Sequence, residues 1–253
     1  MTAPRDPARP FLTCFSTMGC TELTLPQVLA LADRFSIDCL ELRSSLSHHP
    51  ARVLGTSFKL VGDNEAGRTA LLAFAQLAEE IGTPYLRIFG GGTWGTPLSE
   101  ENYRQAVEVL NWWQGEKKKN RWQTEILIET HDAFSATPPF LRLFELLGRT
   151  HPIIWDSHHT WRLAGERPAD TWKHLQPHTR HVHIKDSILK PSARHPYTYV
   201  LPGTGEMPAR EVLDLLRRDR FTGAVSLEWE KMWHPYLPPI EEALTACRKE
   251  NWW

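Results

Sequence analysis

Short β-branched or apolar runs alternate with helical patterns along the whole chain, and this alternation limits the fold more than any single motif does. The runs lie at 11–15, 37–42, 53–60, 85–89, 125–128, 152–155, 180–184 and 224–228. Eight runs in 253 residues give about 32 residues per unit, close to the repeat of a (β/α)8 barrel of ordinary size. The predicted fold is therefore α/β, a slightly irregular (β/α)8 TIM barrel built as one domain over 1–253, with residues 1–10 as a flexible arm. The second unit is the irregular one. Ten residues separate Leu42 from Val53, too few for a crossover helix, so the second helix is expected to be short or missing.

The intervening helices carry start and stop signals. Thr24 is placed as an N-cap, with Gln27 as its capping-box partner and Pro26 in the first turn, ahead of a stripe of Val28, Leu31, Ala32 and Phe35. Leu71, Phe74, Leu77, Ala78 and Ile81 make a core face at 3- and 4-residue spacing. Thr137 and Pro138 open a helix whose stripe of Phe140, Leu141, Phe144 and Leu147 ends at Gly148. The basic stretch at 115–121 is read as a solvated helix end at the non-catalytic side of the barrel. The segment 185–205 follows a strand and carries three prolines and the turn sequence PGTG, which marks it as a lid or substrate loop.

Composition narrows the class of function. A hydrophobic fraction of 41% supports a buried core and excludes a disordered chain. No apolar run approaches the roughly 20 residues of a membrane span, and the opening MTAPRDPARP has no signal-peptide core. A net charge of −1 gives no field for a polyanion, so neither nucleic acid nor membrane is an expected partner. Cys14, Cys20, Cys39 and Cys247 form no CxxC pair, which suits free thiols in a reducing, cytoplasmic location.

In a barrel the chemistry sits at the C-terminal ends of the strands, and here the last four runs end in ligand-type residues. They close in Glu129-Thr-His131-Asp132, in Asp156-Ser-His-His159, in His181-Val-His183-Ile-Lys185-Asp186 and in Glu228-Trp-Glu230. Glu129 to Asp156 and Asp156 to His183 are each 27 residues, and His183 to Glu228 is 45 with the long loop included. Each step is about one βα unit, so the residues form one ring. Converging carboxylates repel unless a cation neutralises them, which points to one divalent metal ion, Mn2+, Mg2+, Co2+ or Zn2+. Because side chains alternate along a strand, one histidine of HVH is expected to face the axis and the other the helices.

With these residues in view, the chain resembles the sugar phosphate isomerase/epimerase superfamily, the xylose isomerase-like TIM barrels. The likeness is carried by CLELRSS at 39–45, YLRIFGGG at 85–92, LIETHD at 127–132, WDSHH at 155–159, HVHIKD at 181–186, PGTGEMP at 202–208 and SLEWE at 226–230. The resemblance implies a metal held by Glu129, Asp156, His183 and Glu228, with His181 structural. It also implies that Glu129 and Glu228 are the catalytic acid/base pair on opposite faces of the substrate, and that His159 binds substrate. The expected function is a divalent-metal-dependent sugar isomerase or epimerase that moves a proton through a metal-stabilised enediolate.

Other residues have two readings each. Arg87 and Lys59 bind substrate or pair with Glu41; Lys185 stabilises an oxyanion or pairs with Asp186; His131 contacts substrate or supports a ligand. Trp94, Trp161, Trp229 and Trp233 follow strand ends and suit stacking on a sugar, with Trp94 placed as a substrate contact, while Trp155 and Trp229 also suit packing between strand and helix. The GGG run lacks the following Lys-Ser/Thr of a phosphate loop. The expected partner is a small sugar or keto-sugar, and a homodimer is a candidate assembly. Two alternatives keep the same metal ring. One is a keto-sugar lyase or dehydratase. The other is an endonuclease IV-like nuclease, which needs further histidines where this chain offers Lys59 and Phe89.

Overall fold

A computed structural model describes residues 9–43 and 51–253. The barrel strands are β1 (Leu12–Ser16), β2 (Cys39–Arg43), β3 (Val53–Val61), β4 (Tyr85–Gly91), β5 (Glu125–Glu129), β6 (Ile153–Asp156), β7 (Thr179–Ile184) and β10 (Ala224–Leu227). All pair in parallel and close in the order β1-β10-β7-β6-β5-β4-β3-β2. The eight runs read from the sequence are these eight strands, and the fold is a (β/α)8 TIM barrel. A separate antiparallel hairpin, β8 (Asp186–Ile188) with β9 (Thr198–Val200), rises from the end of β7. The segment expected to lack the second helix, 44–50, lies outside the described residues, as do residues 1–8 of the expected arm. Arg9 lies 3.7 Å from Asp38, and Pro10 is buried.

The helices are α1 (Leu25–Arg34), α2 (Glu65–Ile81), α3 (Glu100–Asn120), α4 (Thr137–Leu147), α5 (Ser157–Arg162), α6 (Pro168–Leu175), α7 (Ala209–Arg218) and α8 (Ile240–Lys249). In α1 the Thr24 N–H donates to Gln27 Oε1 at 2.8 Å, and Val28, Leu31 and Ala32 are buried as expected. In α4 the stripe is rotated from the expected one: Phe140, Leu143 and Phe144 are buried, whereas Leu141 is exposed. Leu143 is three residues after Phe140, so it continues the buried face where Leu141 leaves it. The basic run ends α3, where Lys117 reaches back to Glu125 at 2.8 Å beside the start of β5. Trp155 of β6 stacks on Trp172 of α6, with ring centroids 5.3 Å apart, which is the packing role between strand and helix.

Period-two alternation divides each strand between two environments. Leu54, Leu86, Ile88, Ile126, Ile128, Val182, Val225 and Leu227 join the large apolar layer beneath the helices. The opposite parity fills the barrel. At its N-terminal end Val53, Leu127 and Ile154 form a dry plug with Tyr85 against it. One step further along the same faces come Arg87, Glu129 and Asp156, all buried. On β4, β5 and β6 the polar side chains therefore begin one step beyond the plug.

The GGG run is a packing device. Gly91 has φ +78, and a Cβ there would lie 2.2 Å from the Val61 carbonyl oxygen of the paired strand β3. At Gly90 a Cβ would lie 2.2 Å from the Phe134 ring, in the 3-10 turn Asp132–Phe134 that follows β5. Absence of side chains on β4 thus lets this turn seat closely and fixes His131 and Asp132 at the rim. Gly91→Ala is expected to cost several kcal/mol, whereas Gly62→Ala, also at positive φ (+90) but with open space around it, should cost only about 1 kcal/mol. Chemical denaturation of both variants checks this, and equal losses would remove the steric account.

Candidate metal centre

The C-terminal ends of β5, β6, β7 and β10 bring Glu129, Asp156, His183 and Glu228 together, with one ligand atom from each lying within 4.8 Å of the others. His183 Nδ1 is 3.3 Å from Glu129 Oε1, 3.4 Å from Glu228 Oε1 and 3.8 Å from Asp156 Oδ2. Asp156 and His183 are wholly buried; Glu129 and Glu228 are nearly so but line the cavity above. Parallel register accounts for the meeting: Asp156 pairs with His183, and His183 with Ser226, two residues before Glu228.

His181 and His183 both face the barrel axis, which corrects the expectation that one would point to the helices. Positions i and i+2 of a strand share a face, and it is Val182 between them that joins the outer layer. Glu41 of β2 sits between the two rings, its Oε2 2.9 Å from His183 Nε2 and 3.1 Å from His181 Nε2. Burial would raise the Glu41 carboxyl, but His183 and His181 hold it well below the usual range, so it is ionised. An ionised carboxylate only accepts, so His183 Nε2–H donates to Glu41 and the Nδ1 lone pair faces the three other carboxylates.

That lone pair needs a positive charge opposite it. Without a metal, the charge is a proton: burial disfavours it, yet Glu228, Glu41 and Glu129 push the His183 pKa well above its ordinary value. Among the described residues His183 Nδ1, Glu129 Oε2 and Asp156 Oδ2 are buried without a hydrogen bond, although Arg87 Nε lies 3.3 Å from Glu129 Oε2 and the Lys185 ammonium 2.8 Å from Asp156 Oδ2 as ion pairs. Three carboxylates and one imidazole nitrogen converging on one point fit a divalent cation.

The two glutamates differ electrically. Burial would raise Glu129, but His183 and Arg87 outweigh it and leave the carboxyl at about 2. At Glu228 burial prevails and, with repulsion from Glu129, lifts the carboxyl to about 7 against the pull of His183 and Lys185. Asp156 stays well below its usual range, because His159 and Lys185 outweigh its burial.

The remaining expected residues fall into place unevenly. Arg87 is buried, with its Nε 3.3 Å from Glu129 and its Nη1 donating to the Thr56 carbonyl at 3.0 Å; it pairs with Glu129, not Glu41. Lys59 lies at the surface, 3.6 Å from Asp132. The Lys185 ammonium touches Glu228, Asp156 (2.8 Å) and Glu230 (2.7 Å), not Asp186, and is buried without being among the residues that line the cavity. His131 and His159 do line the cavity, ring to ring at 4.9 Å. His159 Nδ1 has the Thr130 carbonyl at 3.1 Å and Asp156 at 3.2 Å, both acceptors. Nδ1 therefore carries the hydrogen and Nε2 is left as an acceptor; burial keeps the ring neutral, with its pKa at about 4. Trp94 is 50% exposed and is not among the lining residues, Trp229 is buried against the Pro238 carbonyl, and Trp233 lines the cavity.

Arg43, Glu41, Arg194, His195 and His234 also stand at the site, where no role was expected for them. Glu41 and Arg43 carried a signal, since both share the inward parity of β2. Arg194, His195 and His234 carried none, because loop geometry brings them in. The hairpin that holds Arg194 and His195 is anchored by Asp186, whose carboxylate accepts the backbone N–H groups of Ser187, Gly203, Gly205 and Met207 at 2.8 to 3.0 Å. The expected loop at 185–205 thus overhangs the site, and with it the cavity encloses about 360 Å³.

Comparison with known proteins agrees with this architecture. No curated protein matched the sequence. Among solved structures, the probable 3-DHS dehydratase AsbF from Bacillus anthracis, involved in petrobactin synthesis, superposes with a TM-score of 0.76 at 16% identity, over 94% of this chain and 99% of that one. The IOLI protein with a bound zinc atom gives 0.73 at 18%, over 95% and 96%. D-psicose 3-epimerase in the presence of D-fructose gives 0.67 at 15%, over 95% and 98%. At these identities the likeness is one of fold. The model of the xylose isomerase-like TIM barrel family matches residues 19–250, nearly the whole chain, and the protein belongs to that family.

Proposed function

We propose that this chain is a divalent-metal-dependent isomerase or epimerase of a sugar or keto-sugar, with Glu129, Asp156, His183 and Glu228 as the metal ligands. The observation that carries the reading is the convergence of one ligand atom from each of these four buried side chains, Glu129 and Glu228 also lining the cavity. A zinc atom in the similar IOLI protein and a ketose beside the similar epimerase support it. When bound, the ion would polarise a substrate carbonyl and acidify the neighbouring C–H.

The protein's own groups move the proton. Glu129 and Glu228 both line the cavity and work as the acid/base pair: one carboxylate takes the proton and the other carboxyl returns one. Return to the same carbon from the other face epimerises it, and return to the adjacent carbon isomerises. His131 and His159 hold substrate hydroxyls, His159 accepting through Nε2. Lys185 keeps Asp156, Glu228 and Glu230 in place. Glu41 orients His183 through its Nε2.

Two measurements test this. Elemental analysis of the purified protein after Mn2+ or Co2+ loading should find about one ion per chain, lost in Asp156→Asn. Glu41→Gln should keep the fold but weaken metal binding about 10- to 100-fold. A wild-type chain that takes up no metal would remove the centre. For the chemistry, the loaded protein with a panel of ketoses in deuterated water should introduce deuterium at a carbon beside the carbonyl, and Glu228→Gln should slow this by about 10²- to 10⁴-fold. Full metal loading without exchange on any ketose would overturn the isomerase reading, and an enone product would replace it with elimination.

A further inference from the structure

The cations of the cavity fall into two sets. Arg87 is neutralised by Glu129, and Lys185 by Asp156, Glu228 and Glu230. Arg43 and Arg194 also line the cavity, yet neither lies within 4.0 Å of a carboxylate among the described residues. The Arg43 guanidinium meets Met18 Sδ at 3.5 Å, and both guanidinium carbons sit over the Trp233 indole, 5.6 Å from its centroid for Arg43 and 5.2 Å for Arg194.

Two like charges gathered on one ring repel each other, and the indole offsets only part of that repulsion. A third side chain points the same way. His234 is 3% exposed and lines the cavity, but its Nε2 has no hydrogen-bond partner among the described residues, the Glu230 carboxylate being 3.8 Å away. A buried polar atom left open in the same cavity as two unneutralised guanidiniums is the complement of an anion.

We propose that Arg43, Arg194 and His234, grouped about Trp233, form a subsite for an anionic group, carboxylate or phosphate, carried by the substrate at the end remote from its carbonyl. The inference rests on the keto-sugar reading of the centre and narrows it to a sugar acid or a sugar phosphate. The charge gradient of the cavity sets the orientation. Glu129 and Glu228 at the floor suit the end that loses a proton, and the arginines at the mouth hold the charged tail. The two guanidiniums act as the selectivity device, since a neutral sugar leaves both unpaired.

The test compares three probes on the Mn2+-loaded full chain, with binding read by tryptophan fluorescence and calorimetry: D-fructose, D-fructose 6-phosphate and 5-keto-D-gluconate. At low salt at least one anion should bind about tenfold or more tightly than fructose, and the advantage should shrink at high salt. In Arg43→Gln/Arg194→Gln the advantage should fall to about one- to threefold, with metal content and fructose binding unchanged. A preference for the phosphate alone identifies a phosphate subsite, and one for the keto acid alone a carboxylate subsite. Arg194→Gln, at an exposed position, gives a partial loss without burdening the fold. Fructose bound as tightly as both anions, no binding of either anion, or an anion preference that survives in the double variant would each overturn the proposal. Deuterium exchange is scored separately: anion preference without exchange removes the isomerase reading and leaves the subsite, whereas exchange without anion preference does the reverse.

Discussion

Placing Glu41, Glu129, Asp156 and Glu228 inside one barrel demands that each negative charge be matched at close range, and the upper half of the interior is organised around that demand. Desolvation opposes every one of these carboxylates. Arg87 answers Glu129 from β4, Lys185 answers Asp156, Glu228 and Glu230 from the end of β7, and His183 stands between Glu41 on one side and the other three on the other. The matching is complete around Glu41, where two imidazoles meet one carboxylate. It is incomplete at the centre, where the His183 Nδ1 faces Glu129 Oε1 and Glu228 Oε1 with no hydrogen bond among the described residues.

The same demand explains how the fold and the site are joined. An apolar plug of Val53, Leu127 and Ile154 fills the lower barrel, and the next inward position on β5 and β6 is already a ligand-type residue. On β5 and β6 the polar layer therefore begins where the plug stops, while Glu41 of β2 and His181 of β7 lie level with Val53 and Ile154 of the plug. On β4 the side-chain-free positions do comparable work from outside the ring: Gly90 lets the turn with His131 and Asp132 settle against the strand, and Gly91 lets β3 approach at Val61.

Much of this was legible in the sequence because it depends on local pattern. The eight apolar runs fixed the barrel, and the polar residues closing the last four fixed the ring, since strand ends lie at one rim whatever the loops do. Period two also carried more than was drawn from it. It places His181 with His183 on the inner face and Glu41 with Arg43 beside them, so the carboxylate that orients His183 was readable from parity alone. Lys185 was harder, because its three partners come from β6 and from the end of β10, and only the closed barrel says they are near. Arg194, His195 and His234 were out of reach. Their approach depends on how the hairpin after β7 folds over Asp186 and on the turn after Glu230, and neither leaves a periodic trace. The shift of the α4 stripe from Leu141 to Leu143 has a similar origin, since a helix with this many apolar residues fits two neighbouring faces and the barrel selects one.

The plug has one more effect. With Val53, Leu127, Ile154 and Tyr85 packed across the lower bore, apolar side chains back the centre on the side away from the cavity. A molecule seated against Glu129 and Glu228 therefore shields them from water on the side that the plug does not, and so strengthens every charge interaction between them.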